Sequence, residues 1–342
     1  MAEIYFLDLR EREASAEFFK DMEKLYRRAG FNLFGNIAIK MHFGEYGNLN
    51  HINPEIAGFI ATMAKENGKP FLTDCNTLYR GERGNGIDHI NCAIKNGFSF
   101  ATTGVPIIMG DGISGREYFE IEINKKHFDK ASVGLAYRHS DSLLALNHFK
   151  GHEQAGFGGA IKNIGMGMGS RSGKQMMHAV IKPRVNEKRC AADGICAEWC
   201  PSGAIIVEDV AHIDLSTCIG CGECVVFCPH DAIEVDPTDG TQLQERIAEF
   251  AFSIKKHFGE HMGFINVVRN ITPRCDCAPW SGRVNVGDIG ILASKDPVSI
   301  DQCSMDLALE EGAEFVREGV RQLEYGEEIG LGERNYNIIK IE

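Results

Sequence analysis

Two periodicities alternate along the chain. Residues 4–9 (IYFLDL) are a short apolar run of strand type, and Phe18, Phe19, Met22, Leu25, Tyr26 and Ala29 then recur at helical spacing up to Gly30. That pattern predicts an amphipathic helix with a glycine stop. Residues 36–43 (NIAIKMHF) read as a second strand, and their nearly continuous apolar character suits a parallel sheet covered on both faces. Pro54 opens a helix through Ala57, Ile60, Ala61 and Ala64, residues 70–76 (PFLTDCN) are a third strand, and a helix follows at 87–96. Strand character returns at 105–111, 119–124 and 142–149. Beyond residue 236, Leu243, Ile247, Ala251 and Ile254 mark a helix, 263–271 and 289–294 read as strands, and Pro297 opens another helix. Strand alternating with helix in this way predicts an α/β fold with a mainly parallel sheet flanked by helices.

One stretch interrupts the rhythm. Cys218, Cys221, Cys224 and Cys228, followed by Pro229, form a C-x2-C-x2-C-x3-C-P run, and the same pattern occurs earlier at one constant offset. Cys190 matches Cys218, Cys196 matches Cys224, Cys200 matches Cys228, and Asp193 stands where the repeat calls for a cysteine. The run resembles that of bacterial two-cluster ferredoxins, in which the fourth cysteine of each run ligates the other cluster. The resemblance implies a 4Fe-4S site from Cys218, Cys221, Cys224 and Cys200. A second site would take Cys190, Cys196, Cys228 and Asp193, as a carboxylate-ligated 4Fe-4S or a 3Fe-4S cluster, because a carboxylate is harder than a thiolate. A ferredoxin-like α+β module at 186–236 is therefore expected as an insertion into one α/β domain made of residues 1–185 and 237–342.

The 342 residues carry a formal charge of -12, with 44% hydrophobic and 25% charged residues. This is soluble-protein composition, and the acidic balance argues against a nucleic acid or an anionic membrane as partner. It suits a redox partner protein with a basic docking face. No apolar run is long enough to span a membrane and the N-terminus is too charged for a signal peptide, so a cytoplasmic address is expected. Seven of the 12 cysteines lie in the repeated stretch; Cys75, Cys92, Cys275, Cys277 and Cys303 have no disulfide-framework spacing, which fits a reducing compartment.

In open α/β sheets ligands bind beyond the carboxyl ends of the strands, so the residues there are the candidates. They are Lys40, His42 and Glu45 after the second strand, Asp74 and Asn76 after the third, and His148, Lys150 and His152 after the strand at 142–149. Each alone is as compatible with capping a turn. His148 and His152 would share a face with metal-ligand spacing if the chain were helical there. The glycine-rich stretch 147–174 closes neither a Walker nor a dinucleotide register; it offers exposed amides beside Lys162, Arg171 and Lys174 for an anion, or glycines for close packing. Cys275 and Cys277 would point the same way from an extended segment, to chelate one further metal or act together in redox chemistry. A buried thiol beside a capping residue is the plainer reading.

Taken together, KMHFGEYGN, TDCN, KGHEQAGFGGAIKNIGMGMGSRSGK, RCDC and DIGILASKDPVSID resemble an uncharacterised iron–sulfur centre family, the domain of unknown function 362. That resemblance implies an α/β domain plus redox clusters. The expected activity is electron transfer of oxidoreductase type between the clusters and a site using Cys275, Cys277, His148, His152 and Lys162, with Lys40, His42, Asp74 and Lys174 around a small anionic substrate. The alternative is a non-catalytic electron carrier or cluster-assembly adaptor.

Overall fold

The protein is described here from a computed structural model over residues 1–10, 17–79, 81–180, 182–220 and 223–342. Its centre is a seven-stranded sheet in the order Tyr336–Lys340, Ala2–Asp8, Gly290–Ser294, Met262–Val268, Ser142–His148, Gly35–Lys40 and Gly68–Thr73. All neighbours run parallel except at Gly290–Ser294, which is antiparallel to both strands beside it. The fold is thus α/β with a mainly parallel sheet flanked by helices.

The apolar runs are continuous because both faces are covered. Along Ser142–His148, Leu143 and Ala145 join one buried cluster while Leu144 and Leu146 join the other. The helices Phe18–Ala29 and Pro54–Ala64 cover the second face with Met22, Leu25, Ile56 and Ile60. Pro237–Phe258 and Pro297–Glu310 cover the first with Leu243, Ile247, Ile254, Val298 and Ile300. At roughly 2 kcal/mol per large apolar side chain removed from water, this double layer is the main source of stability. Among the described residues no helix is long and apolar enough to cross a membrane.

Several expectations change. The run 105–111 is not a strand: it touches the sheet by one bridge, Leu72 to Ile107, because Pro106 has no N–H and Gly110 donates to Asp74 O at 2.8 Å. The run at 119–124 does become a strand, Tyr118–Glu122, but it pairs with Lys130–Gly134 in a separate hairpin. His148 and His152 lie at the ends of the strands Ser142–His148 and Lys150–His152, so no helical face unites them.

The glycine-rich stretch is partly helical, as Ala160–Met168 and Arg171–His178. A distant residue makes the first helix possible. The buried carboxylate of Asp301 accepts hydrogen bonds from Ala160 N (2.7 Å) and Ile161 N (2.9 Å), capping a helix that has no side-chain cap of its own. Glycine serves packing here: a Cβ at Gly165 would overlap Ile247 O on the long helix, and one at Gly173 would overlap Ser132 O.

Residues 184–234 carry four short strands in two pairs, Arg184–Val185 with Ile233–Glu234 and Ile205–Val207 with Ala211–Ile213. The short helices Ile195–Glu198 and Glu223–Phe227 occupy equivalent places in the repeat.

Candidate functional site

The chain runs from Gly35–Lys40 outward to Gly68–Thr73 and then back to Ser142–His148 on the other side of Gly35–Lys40. This reversal opens a crevice at the strands' carboxyl ends. A cavity of about 100 Å³ lies there, lined by Lys40, His42, Asp74, His148, Lys150, His152, Lys162, Lys174, Cys275 and Cys277 among others. The structure therefore brings together the nine residues expected to act in catalysis or binding, and Lys150 with them, while Glu45, Asn76 and Arg171 of the wider candidate set do not line the cavity. Arg83, which the sequence hid, joins the lining, and Asp276 and Glu153 stand between lining residues of the chain.

The lysines divide by what they touch. Lys40 Nζ is enclosed by Asp74 Oδ1 (3.0 Å), Asn163 Oδ1 (2.6 Å) and Met41 O (3.3 Å), so its donors are spent on the protein. Burial works against the charge on Asp74, but Lys40, His89 and Lys174 outweigh it and hold the carboxyl below its usual range. Lys174 Nζ donates to Gly169 O at 2.6 Å. Lys162, half-buried, has no hydrogen-bond or ion-pair partner among the described residues and is the lysine free to meet a ligand. Arg83 is 1% exposed; its Nε reaches Glu45 Oε2 (3.2 Å), its guanidinium lies 5.4 Å from the Tyr79 ring centre, and its Nη2 is buried without a partner.

Four histidines line the cavity: His178 keeps its Nδ1 buried without a hydrogen-bond partner among the described residues, and the other three sit in three different hydrogen-bonding states. His148 faces two acceptors, Asp276 Oδ2 at Nδ1 (2.7 Å) and Arg269 O at Nε2 (2.8 Å), so satisfying both contacts needs an N–H at each. His152 Nδ1 accepts from Gln154 N (3.2 Å) and Ala155 N (3.1 Å), which places its proton on Nε2 and leaves that N–H for Cys275. Burial, aided by Lys162, pushes the His152 ring down to about 4 despite Cys275, so it is neutral. His42 has Gly44 N at Nδ1 (3.0 Å) and Arg83 Nη1 at Nε2 (2.9 Å); burial together with Arg83 keeps the ring neutral, and a neutral ring accepts from only one of the two. No ring nitrogen of the three retains a lone pair free for a metal. Among the described residues no group of three His, Cys, Asp or Glu is gathered to hold a single ion.

A turn, rather than an extended segment, presents the cysteines. Ala278 N bonds to Cys275 O at 3.4 Å, and the Sγ atoms of Cys275 and Cys277 come within 2.8 Å of each other, both as free thiols. Cys277 Sγ also lies 3.6 Å from His42 Nε2. Contact with Cys275, reinforced by Lys162, Arg83 and Lys150, lowers the Cys277 thiol below its usual range against the effect of burial and so favours its thiolate, while the same contact and burial push Cys275 up to about 11. Between them Asp276 turns the other way, to His148 and to Lys150 Nζ at 3.4 Å. Burial disfavours its charge, yet His148 and Lys150 hold its carboxyl far below the usual range.

Glu153 has both carboxyl oxygens buried and unpartnered, and burial followed by Cys275 pushes it up to about 8. The folded chain keeps this proton while the unfolded chain releases it, so stability falls as pH rises from about 4.3, the ordinary glutamate value, toward 8. Glu153→Gln should add about 4 kcal/mol at pH 8 and almost nothing at pH 4, read from urea melts at both pH values. An equal effect at the two would mean that Glu153 titrates normally.

In the repeated stretch Cys196, Cys200, Cys224 and Cys228 are buried, and Cys190 and Cys218 are partly buried against the same small core. Cys221 lies outside the described residues. Four sulfurs accept backbone N–H groups: Cys200 from Ala204 (3.2 Å), Cys228 from Ala232 (3.3 Å), Cys190 from Ala211 (3.4 Å) and Cys218 from Gly220 (3.4 Å). Burial raises the Cys196 thiol to about 11, with Cys228, Asp193 and Cys190 adding to it. Asp193 Oδ1 accepts from Ile195 N at 3.1 Å, and its Oδ2 lies 3.2 Å from His230 Nε2.

This stretch meets the pocket through aromatic rings. Trp199 stacks on Phe227 with centres 3.7 Å apart, and Phe227 lies 6.2 Å from Tyr79 and 5.7 Å from Trp280. Tyr79, Phe227 and Ala278 form one buried group, with Cys277 packed against it. Arg274, beside Cys275, reaches Asp231 at 2.8 Å.

Comparison with known proteins adds the family and little else. No curated protein matches the chain. Among solved structures, a structural-genomics protein from Thermotoga maritima is similar at 10% identity and TM-score 0.37, covering 91% of this chain and 58% of its own. The lactate racemase apoprotein from Thermoanaerobacterium thermosaccharolyticum is similar at 11% identity and TM-score 0.36, covering 78% of this chain and 50% of its own. The chain thus spans only about half to three-fifths of the length of these two. Over residues 37–306 it matches the family described as Domain of unknown function (DUF362), and it belongs to that family.

Proposed function

We propose that this is an iron–sulfur redox protein of oxidoreductase type, in which residues 186–236 are a ferredoxin-like two-cluster insertion exchanging electrons with the cavity of the α/β domain. The observation that carries the reading is the paired cysteine arrangement in which backbone amides are aimed at sulfur. An N–H donor directed at a cysteine stabilises the thiolate, the form that ligates iron. These contacts recur at matching places in the repeat: Cys200 with Ala204, and Cys228 with Ala232.

The residues present fit the two groups unequally. Cys200, Cys218 and Cys224, with Cys221, would hold a 4Fe-4S cluster; Cys190, Cys196 and Cys228 would hold the other, with Asp193 at its weak corner. When bound, such clusters supply one-electron transfer. The chain's own residues do the rest. Trp199 and Phe227 each precede a cysteine of the repeat, and with Tyr79 they form an apolar contact that reaches Cys277. Lys162 and Arg83 supply cationic contacts for a small anionic substrate beside the sulfurs. The histidine states described above favour a redox role over a further metal for Cys275 and Cys277. The acidic surface suits a basic redox partner protein.

Anaerobic purification with iron and sulfide analysis and EPR tests this reading. About seven or eight irons per chain, with one signal of ordinary reduced 4Fe-4S type, is the expected result. Zinc in place of iron, or disulfide-bonded cysteines in the repeat, would refute it.

A further inference from the structure

We propose that Cys275 and Cys277 are a reversible dithiol–disulfide couple that exchanges two electrons, one at a time, with the cluster insertion through Tyr79, Phe227 and Trp199. This deepens the preceding reading and rests on it for the electron supply.

The geometry supports it in three independent ways. The sulfurs are already 2.8 Å apart, less than about 1 Å beyond a disulfide bond of ~2.05 Å, so the turn at 275–278 need hardly move. Beside Cys275 the His152 ring has its one acceptor nitrogen engaged by two backbone N–H groups, so it offers the sulfurs an N–H rather than a lone pair for a cation, and His42 Nε2 lies 3.6 Å from Cys277 Sγ. Cys277 also packs against the same buried rings that abut Cys200 and Cys228 in the chain.

The steps balance as follows. The Cys275 thiol gives its proton to solvent in the cavity, and the pair loses one electron to become a disulfide radical anion. Loss of the second electron completes the S–S bond. Together one thiol and one thiolate yield one disulfide, two electrons and one proton; clusters held by the repeat cysteines would supply the one-electron acceptors for the two electrons. In the opposite direction the disulfide accepts two electrons and one proton, and the bond breaks. Lys162, Lys150 and Arg83 surround the sulfurs, favouring the negatively charged partners of the cycle over neutral ones.

Two measurements on the anaerobic holoprotein test this. First, the protein is equilibrated in reduced and oxidised dithiothreitol, alkylated, and analysed by mass spectrometry. A peptide holding both cysteines should become resistant to alkylation and lighter by two hydrogens, reversibly. If both cysteines stay alkylatable at the oxidising extreme, the couple does not exist. This arm needs no cluster, so it stands apart from the iron analysis that tests the parent reading.

Second, protein with the disulfide formed and the clusters reduced by dithionite, then freed of reductant, is followed by its visible absorption. Cluster bands should recover as two thiols appear, and Cys277→Ser should abolish the recovery. Phe227→Leu should slow it by about tenfold or more while leaving disulfide formation in dithiothreitol unchanged. Recovery at the parent rate in Phe227→Leu would remove these rings from the path. Recovery in Cys277→Ser would overturn the proposal outright.

Discussion

Replacing Asp276 by asparagine should destabilise the protein by about 3–5 kcal/mol, the cost of leaving buried positive charge without its partner. Asp276 is 1% exposed and is the one carboxylate between His148 Nδ1 and Lys150 Nζ. Asparagine has nearly the same shape, so packing survives and the loss reports charge. The acid limb carries a second signature. Because the folded-state carboxyl is held far below its unfolded value, its contribution is complete above about pH 4 and is lost as pH falls below that. The parent should therefore lose stability more steeply than the variant in acid. Denaturant melts from pH 7 down to pH 3 measure both effects; equal stability at pH 7 would mean that the network is not ionised.

On the proposed two-cluster reading, Asp193→Cys should turn the weak corner of one cluster into an all-cysteine site. A carboxylate holds iron less firmly than a thiolate, and Asp193 is also engaged by Ile195 N and His230. Parent protein exposed briefly to air should therefore show the oxidised 3Fe-4S type of EPR signal. The variant supplies the missing thiolate, so that signal should disappear and iron should rise by about one per chain. A parent and a variant with the same spectrum and iron content would show that residue 193 is not at a cluster corner.

The sequence made the sheet legible because both of its faces are covered: burial on two sides writes long apolar runs that need no neighbour for their interpretation. Where tertiary partners decide, local reading fails. The helix Ala160–Met168 is rich in glycine and lacks a cap of its own; Asp301, far along the chain, supplies one. The reversed direction of Gly290–Ser294 leaves no mark in its own apolar pattern. At the pocket, the strand-end rule gathered Lys40, His42, Asp74, His148 and His152, because topology alone sends those positions to one rim. Arg83 came from a loop with no periodicity. Asp276 was overlooked because two conspicuous cysteines flank it, and an extended reading hid the turn that gives it a separate task. The histidines' metal-ligand spacing carried no information about their protons, which are fixed by amides and carboxylates from other parts of the chain.

The stretch holding the repeated cysteines joins the rest of the molecule where Arg184–Val185 pairs with Ile233–Glu234. The chain enters and leaves side by side, so a tight turn joining the two strands would close the gap without asking the seven-stranded sheet to shift. The pocket is another matter: Trp199 and Phe227, carried beyond the clasp, pack on Tyr79 and Cys277, and Asp231 holds Arg274. The stretch is therefore separable from the sheet but not from the pocket wall, and those two must change together.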